Sequence, residues 1–307
     1  MRSSADPTAA RAARLTLAAS RQTHATVQFL VDRDRAADAY RAYAYFRWMD
    51  DRLDRDLPDR AERLAFVARQ TELLERCCAG AWPDAVSLEE GWLVDLVRRY
   101  PADNVGLRAY LWNMLAVMAF DAQRRGRLIS QAELAEYTRS LATAVTEALH
   151  FFIGHDCRAP QSEVRYRAAA AAHITHMLRD TQDDAAAGYF NIPCEYLHAH
   201  DLAPHAVERE PYRAWVRSRV ALARADFAAG LDYLAQVESL RCRLAGYAYF
   251  ARFEHVLTTI ERDDYRLRPT YGDGRGVTAG LRTLGTALSL ALASRRSPAA
   301  PGALPVR

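Results

Sequence analysis

Glycine and proline are scarce in this chain, at 14 and 12 of 307 residues, and they fall mostly between long periodic segments. No clear alternation of apolar and polar residues is present, and no turn-forming dipeptide joins two apolar runs. These absences argue against a fold built on strands and hairpins. Since 50% of the residues are hydrophobic and they recur with helical spacing, the sequence predicts an all-α protein with a sizeable core.

Long apolar runs and paired cysteines are missing too. No stretch of 18 apolar residues occurs, so nothing is predicted to span a bilayer. The five cysteines are odd in number and lack Cys-x-x-Cys spacing, which indicates a reducing cytoplasm and no disulfide framework. The short apolar stretch 281–293 leaves two interpretations open: peripheral contact with a membrane surface, or a last helix packed on the body.

Positively and negatively charged residues are nearly balanced in number. Lysine and arginine number 41 against 38 aspartates and glutamates, and no long basic run appears. Nucleic acid is therefore not expected as a partner. The composition further predicts a flexible N-terminal segment over residues 1–21, a single domain over residues 22–290 and a disordered tail over residues 291–307.

An aspartate-rich segment follows an aromatic stretch early in the chain. Tyr43, Arg47, Asp50 and Asp54 are separated by 4, 3 and 4 residues, so they share one helix face, with Asp51 beside them. Carboxylates one turn apart repel each other, and the apolar neighbours of this stripe indicate a buried helix whose charges need partners. We interpret the stripe as a metal site; the alternative is a solvated face of mixed charge.

A second segment, about 130 residues later, has the same design. His173, His176, Asp180 and Asp184 follow one another at steps of 3, 4 and 4. Two histidines and two aspartates also suit Zn²⁺ or Fe²⁺, and each histidine can equally be a core residue. Because the first segment offers only oxygen ligands, Mg²⁺, or Mn²⁺ in its place, explains both halves together. Two facing clusters would grip a diphosphate, which predicts an enzyme that ionises an allylic diphosphate.

These two segments, in this order, resemble the signatures of the squalene/phytoene synthase family, the head-to-head trans-isoprenyl diphosphate synthases. The first signature spans residues 43–54 and the second residues 177–193, without a gap. Between them, residues 120–125 and 137–142 fall where the family has a charged helix end and a tyrosine-bearing helix. The resemblance covers residues 22–268, almost the whole chain.

The resemblance implies an isoprenoid synthase fold, a helical bundle around a central hydrophobic cavity, with a prenyl diphosphate as substrate. It implies that Arg47 and Arg179 contact diphosphate, that Tyr43 lies near the phosphates or the cation, and that Tyr137 lies near the reacting centre. The residues that would hold Mg²⁺ are Asp50, Asp51, Asp54, His176, Asp180 and Asp184. The residues that would bind substrate are Phe46, Asp121, Arg124, Thr143, Thr146, His173 and Phe253.

Several positions depart from the family's pattern. His173 and His176 stand where the family has glutamine and asparagine, and a neutral imidazole is a poorer Mg²⁺ ligand than an amide oxygen. Thr143 and Thr146 stand where the family has glycines, and threonines would narrow the space for a second prenyl chain. Residues 186–191 replace a segment that is typically basic and tyrosine-bearing. The ionisation machinery is thus expected to be intact and the place of the second substrate altered.

Three functions are consistent with this pattern. The leading hypothesis is head-to-head condensation of two prenyl diphosphates, farnesyl or geranylgeranyl, to a squalene- or phytoene-type product with release of diphosphate. The second is a one-substrate terpene synthase or cyclase on the same fold, which the threonine and histidine changes favour. The third is an inactive member that binds prenyl diphosphate, although idle buried carboxylates are costly. The use of NADPH is left open, since no glycine-rich dinucleotide loop is present.

Overall fold

The computed structural model of the chain describes residues 6–100, 104–154, 157–271, 285 and 289–290. These residues form helices and no extended strand, which confirms the predicted all-α class. The helices are α1 Pro7–Ala19, α2 Arg21–Phe29, α3 Ala36–Asp51, α4 Arg60–Cys78, α5 Leu88–Arg99, α6 Val105–Arg124, α7 Gln131–Phe152, α8 Arg167–Ala186, α9 Cys194–Ala199, α10 Glu210–Gln236 and α11 Leu240–Arg262. A π-helical turn, Arg52–Asp56, continues α3, and a 3-10 turn, Glu163–Tyr166, precedes α8.

Side-chain caps set where the helices that carry the site begin. The Ser130 hydroxyl accepts a hydrogen bond from the Glu133 amide at 3.1 Å, and the Glu133 carboxylate accepts one from the Ser130 amide at 2.8 Å. This reciprocal capping box satisfies two backbone donors at the start of α7. Asn104 caps α6 in a simpler way, through one bond from the Leu107 amide at 3.0 Å.

Helix α8 occupies the middle of the bundle, where it packs against α7, α10 and α11. Helix α6 packs against α4 and α7, and α3 packs against α1 and α5 and touches α6. Buried apolar residues from Ala12 in α1 to Ile260 in α11 belong to one hydrophobic cluster. The charged ends of α3, α6 and α8 are therefore held by a close-packed apolar body.

Helix α1 places residues 7–19, part of the segment 1–21 that was predicted to be flexible, in a packed helix. Ala12 and Thr16 are 0% exposed, and α1 packs along α3. Asp6 caps α1 and forms an ion pair with Arg41 of α3. The alanines that suggested flexibility are small enough to let the two helices approach each other, so the same composition favours packing.

The C-terminal predictions fall largely beyond the described part of the chain. The predicted tail, residues 291–307, lies outside the described residues, as does most of the stretch 281–293. Leu290, which is described, is partly buried against the hydrophobic cluster, in line with the packed-helix interpretation. Among the helices of the described ranges, none is long and apolar enough to cross a membrane.

Candidate active site

The end of α3 gathers the first set of charged side chains. Arg47 Nη1 lies 3.1 Å from Asp50 Oδ2, and the same guanidinium donates two hydrogen bonds to Asp51, of 3.1 and 2.5 Å. Arg55 also pairs with Asp51, at 3.2 Å. The helix widens here into the π-helical turn Arg52–Asp56, a feature that often occurs at functional sites. Asp51 is therefore shared between two arginines.

The second set of charged side chains lies on α8. Arg179 donates two hydrogen bonds to Asp180, of 2.6 and 2.7 Å, and His176 Nε2 lies 2.9 Å from Asp180 Oδ2. Burial favours the neutral carboxyl, but the hydrogen bonds from Arg179 and His176 outweigh it and hold the pKa of Asp180 below its usual range. Asp180 is thus an anion with two partners of its own helix.

A buried hydrogen-bonded network connects α6, α7 and α8. Arg124, 6% exposed, donates to Asp121 at 2.7 Å and to the Asn191 side-chain oxygen at 2.7 Å. Asn191 in turn donates to Asp184 at 2.7 Å, and Tyr137 donates to Asp121 at 3.0 Å. The network fixes the second aspartate motif relative to the end of α6 and the start of α7.

Two interactions link the first aspartate motif to the surroundings of this network: one hydrogen bond and one electrostatic effect. The Tyr189 hydroxyl, from the loop after α8, donates to Asp54 at 2.9 Å. The charge of Asp121 acts on Asp50 of the first motif and also on Asp184 of the second. Carboxylates of both motifs, which are far apart in sequence, therefore border one site.

Burial, and after it the mutual repulsion of the carboxylates, raises the pKa of two aspartates of this site. Burial, together with the charge of Asp54, raises the pKa of Asp50 to about 6. Burial, together with the charge of Asp180, raises the pKa of Asp184 to about 7. Clustered carboxylate oxygens are the ligands that Mg²⁺ prefers, and a divalent cation would relieve the repulsion. The donor set therefore fits the predicted ion.

The aspartates do not form a preassembled metal cage. Within the described ranges, no group of three or more His, Cys, Asp or Glu side chains converges closely enough to hold an ion. Arg47 and Arg179 instead take up oxygens of Asp50, Asp51 and Asp180. Metal binding by these residues and by His176 stays a prediction.

Aromatic rings surround the polar groups. The ring of Tyr137 lies 5.0 Å from the ring of Phe120 and 5.0 Å from that of His173, while His176 lies 6.0 Å from Phe253 of α11. Burial, with the charge of His176, lowers the pKa of His173 to about 3, so the imidazole is neutral. Its Nε2 has no hydrogen-bond partner among the described residues.

Comparison with known protein families identifies the family of this chain. A family model described as squalene/phytoene synthase matches residues 17–278, which is most of the chain. The chain is a member of the squalene/phytoene synthase family. The match begins inside α1, which agrees with the packing of that helix on the body. None of the curated proteins matches this chain.

Two solved structures share the fold of this squalene/phytoene synthase family member. A dehydrosqualene synthase in complex with ligand has a TM-score of 0.70 and 16% identity, over 94% of this chain and 97% of that one. The squalene synthase HpnC from Alicyclobacillus acidocaldarius has a TM-score of 0.64 and 20% identity, over 85% of this chain and 95% of that one. These likenesses confirm the predicted isoprenoid synthase fold.

Three residues of the site were not among the predicted ones. Tyr189 and Asn191 bind Asp54 and Asp184, respectively, from the loop that follows α8. Arg252 of α11 also acts on the site: its charge and that of Arg47 oppose the rise that burial causes in the pKa of Tyr43. The departure of residues 186–191 from the family pattern was the available signal for the first two.

Substrate binding by three further residues, Phe46, Thr143 and Thr146, stays a prediction. Phe46, 5% exposed, packs in the core against Tyr45 and Tyr110, at 5.0 and 5.4 Å between ring centroids. Thr146 is buried and Thr143 half-buried. At about 100° per residue, helical spacing puts Thr146 roughly 180°, and Thr143 roughly 120°, around α7 from Tyr137. The two threonines therefore do not share the helix face of Tyr137.

Proposed function

We propose that this protein joins two prenyl diphosphates head to head, with release of diphosphate, in a reaction that depends on Mg²⁺. One observation carries the proposal: Asn191 and Tyr189 hold the aspartates of both family signatures at a single site. Carboxylates from two motifs suit a diphosphate that is bound together with divalent cations. Farnesyl and geranylgeranyl diphosphate are the candidate substrates.

The reaction would begin with loss of diphosphate from one substrate, in which the C–O bond breaks and its electrons leave with the diphosphate. Arg47 and Arg179 supply positive charge for this group. Each now pairs with carboxylates of its own helix and would exchange them for phosphate oxygens. When bound, Mg²⁺ would neutralise charge on the same oxygens. The residues that would hold it are Asp50, Asp54, Asp180 and Asp184.

The allylic cation needs neighbours that stabilise it without attacking it. Tyr137, Phe120 and Phe253 offer aromatic faces for this purpose. Burial, with the charge of Asp121, raises the pKa of Tyr137 well above its usual value, so the phenol keeps its proton. The double bond of the second chain would then attack the cation, and the tertiary cation formed would lose a proton to the released diphosphate as the ring of a cyclopropylcarbinyl diphosphate closes. Exclusion of water by the apolar body protects the cation until that bond forms.

The test is incubation of the purified protein with Mg²⁺ and either farnesyl or geranylgeranyl diphosphate, with and without NADPH, and analysis of the products by mass spectrometry. A product with twice the carbon atoms of the substrate is expected and would identify the chain length. A difference between the NADPH arms would show whether a reductive step follows.

Two other outcomes would contradict the coupling proposal. A product with the same number of carbon atoms would identify a one-substrate terpene synthase or cyclase. Calorimetric binding of a prenyl diphosphate with no product in any arm would identify an inactive member that only binds the substrate.

A further inference from the structure

A cavity of about 490 Å³ lies where α7 and α8 meet α10. Its volume falls within the range of small-molecule pockets, about 300–1,000 Å³. Helix α8 contributes Ala170 and Ile174 to it, whereas His173 and Asp180 belong to the aspartate site. At about 100° per residue, Ile174 is turned away from both of those residues around α8. The cavity therefore lies on a different side of α8 from the candidate active site.

The cavity has an apolar wall and a charged rim. The wall is formed chiefly by Leu134, Ala142, Ile174, Tyr196, Trp215 and Leu222. The rim carries three arginines and two carboxylates, and one of the arginines pairs with Glu136 just outside the rim. A ligand that matches this lining has a long apolar part and one anionic end.

Arg219 is the rim cation that is left without a partner. Arg139 pairs with Glu136, and Arg167 lies 3.4 Å from Asp226. Arg219 forms no hydrogen bond or ion pair with any residue in the described parts of the chain. Burial lowers the pKa of Arg219, and the charge of Asp226 opposes that shift only in part. An anion at Arg219 would offset the cost of keeping this guanidinium partly desolvated.

We infer that this cavity is a binding site for an amphipathic anion, with a single carboxylate or phosphate-ester head on an apolar chain. The head would pair with Arg219, and the chain would lie along the apolar wall between Trp215 and Ile174. The unpartnered guanidinium of Arg219 selects an anionic head over a cationic one of the same shape. The inference does not depend on the proposed function, because no residue that lines the cavity is a predicted ligand of metal or diphosphate, although the charge of Arg219 also helps to lower the pKa of His173.

Isothermal titration calorimetry of the full-length protein would test the site with decanoate and decyl phosphate as probes. Each is expected to bind with a stoichiometry of one, and inorganic phosphate and decyltrimethylammonium are expected to bind at least tenfold more weakly. The variant Arg219→Gln should weaken decanoate binding at least tenfold. Arg217→Gln, a change at a half-exposed neighbour that packs on Tyr265, should leave it unchanged.

Two results would overturn the inference. The first is decanoate binding that survives Arg219→Gln. The second is decanoate binding that is lost in Asp50→Asn, which would place the probe in the aspartate site. Ala170→Phe, which fills the apolar end of the cavity, gives an independent check. It should also weaken decanoate binding at least tenfold with the circular dichroism spectrum unchanged, and unchanged affinity in a folded variant would equally overturn the site.

Discussion

At the residue scale, the neutral side-chain amide of Asn191 forms hydrogen bonds with two buried ionisable groups, Arg124 and Asp184. Asn191 accepts from Arg124 and donates to Asp184, so each end of its amide is matched to a group of the right polarity. A carboxylate at this position would repel Asp184, and an apolar side chain would leave both groups without a partner. The side chain therefore positions Asp184, a predicted metal ligand, without supplying a charge.

Asn191→Ala should lower the free energy of unfolding by about 1–3 kcal/mol, because Arg124 and Asp184 each lose a buried hydrogen bond. Urea unfolding followed by circular dichroism would measure the loss. Asn113→Ala is the matched control, since the Asn113 amide only donates to a carbonyl of its own helix at 2.8 Å. Equal losses of unfolding free energy in the two variants would show that the hydrogen bonds of Asn191 contribute no more to stability than the single bond of Asn113.

Asp50→Asn should reduce turnover by at least about a hundredfold, because an amide offers weaker binding to a hard cation and no negative charge. The circular dichroism spectrum should stay the same. Asp56→Asn, in the π-helical turn that follows, changes an exposed carboxylate whose ion pair among the described residues is with half-buried Arg52, and serves as the control. Full activity of the Asp50→Asn variant would contradict the prediction that Asp50 binds Mg²⁺.

At the element scale, α1 is a packed part of the bundle, and its alanines carry this packing. Ala12 is fully buried against the body, whereas Ala18 lies on the exposed face of the same helix. Ala12→Glu should therefore destabilise the protein by about 3 kcal/mol or more, because it buries a carboxylate with no partner. Ala18→Glu should change the unfolding free energy by less than about 0.5 kcal/mol. Similar chemical denaturation curves for both variants would mean that α1 does not pack on the rest of the bundle.

The end of α7 contains a histidine that makes stability depend on pH. His150 Nε2 lies 3.0 Å from the Tyr233 hydroxyl of α10, and burial, with the charge of Arg165, lowers the pKa of His150 to about 4. Below pH 6.5 His150 binds a proton in the unfolded chain, whereas in the folded chain it does so only near pH 4. The stabilisation is thus complete above pH 6.5 and is lost as the pH falls towards 4.

His150→Gln should remove this part of the pH dependence. Between pH 7 and pH 4.5 the original protein should lose about 2 kcal/mol of unfolding free energy more than the variant loses. Urea unfolding at the two pH values would measure the difference, and the other histidines contribute equally to both proteins. Parallel losses in the two proteins would show that His150 is not the group responsible.

At the scale of the whole molecule, the candidate active site is assembled from segments that are distant in sequence. Helix α3 supplies one aspartate motif and α8 the other, and the end of α6 and the start of α7 join them through Asp121, Arg124 and Tyr137. A ligand that bridges the two motifs therefore ties together several helices. Binding of such a ligand should stabilise the entire fold.

Mg²⁺ and an unreactive farnesyl thiodiphosphate, added together at about 100 times the dissociation constant, should raise Tm by roughly 5 °C or more. Mg²⁺ alone, compared at equal ionic strength, should raise it much less, because the diphosphate oxygens complete the coordination. Asp180→Asn should abolish most of the joint effect. A shift of the same size from thiodiphosphate with a chelator present would show that metal takes no part in binding.

The helical class, the family and most of the site could be predicted because each depends on local spacing. Asp50 and Asp54, or Asp180 and Asp184, fall on one helix face whatever the rest of the chain does. Tyr189 and Asn191 could not be assigned in the same way, since their partners Asp54 and Asp184 are reached only when the loop after α8 folds back. The face on which Thr143 and Thr146 lie follows from helical spacing, but its relation to the site depends on how α7 packs.

The sequence by itself determined the helices, the two aspartate motifs and the family, because helical periodicity and motif order are properties of neighbouring residues. Only the tertiary structure decided that α1 is packed, that Phe46 belongs to the core, and that Asn191 bridges opposite charges. It also decided that Arg219 faces a cavity without a counter-charge of its own. These features depend on which helices lie against each other, and that is set by burial of apolar surface over the whole chain.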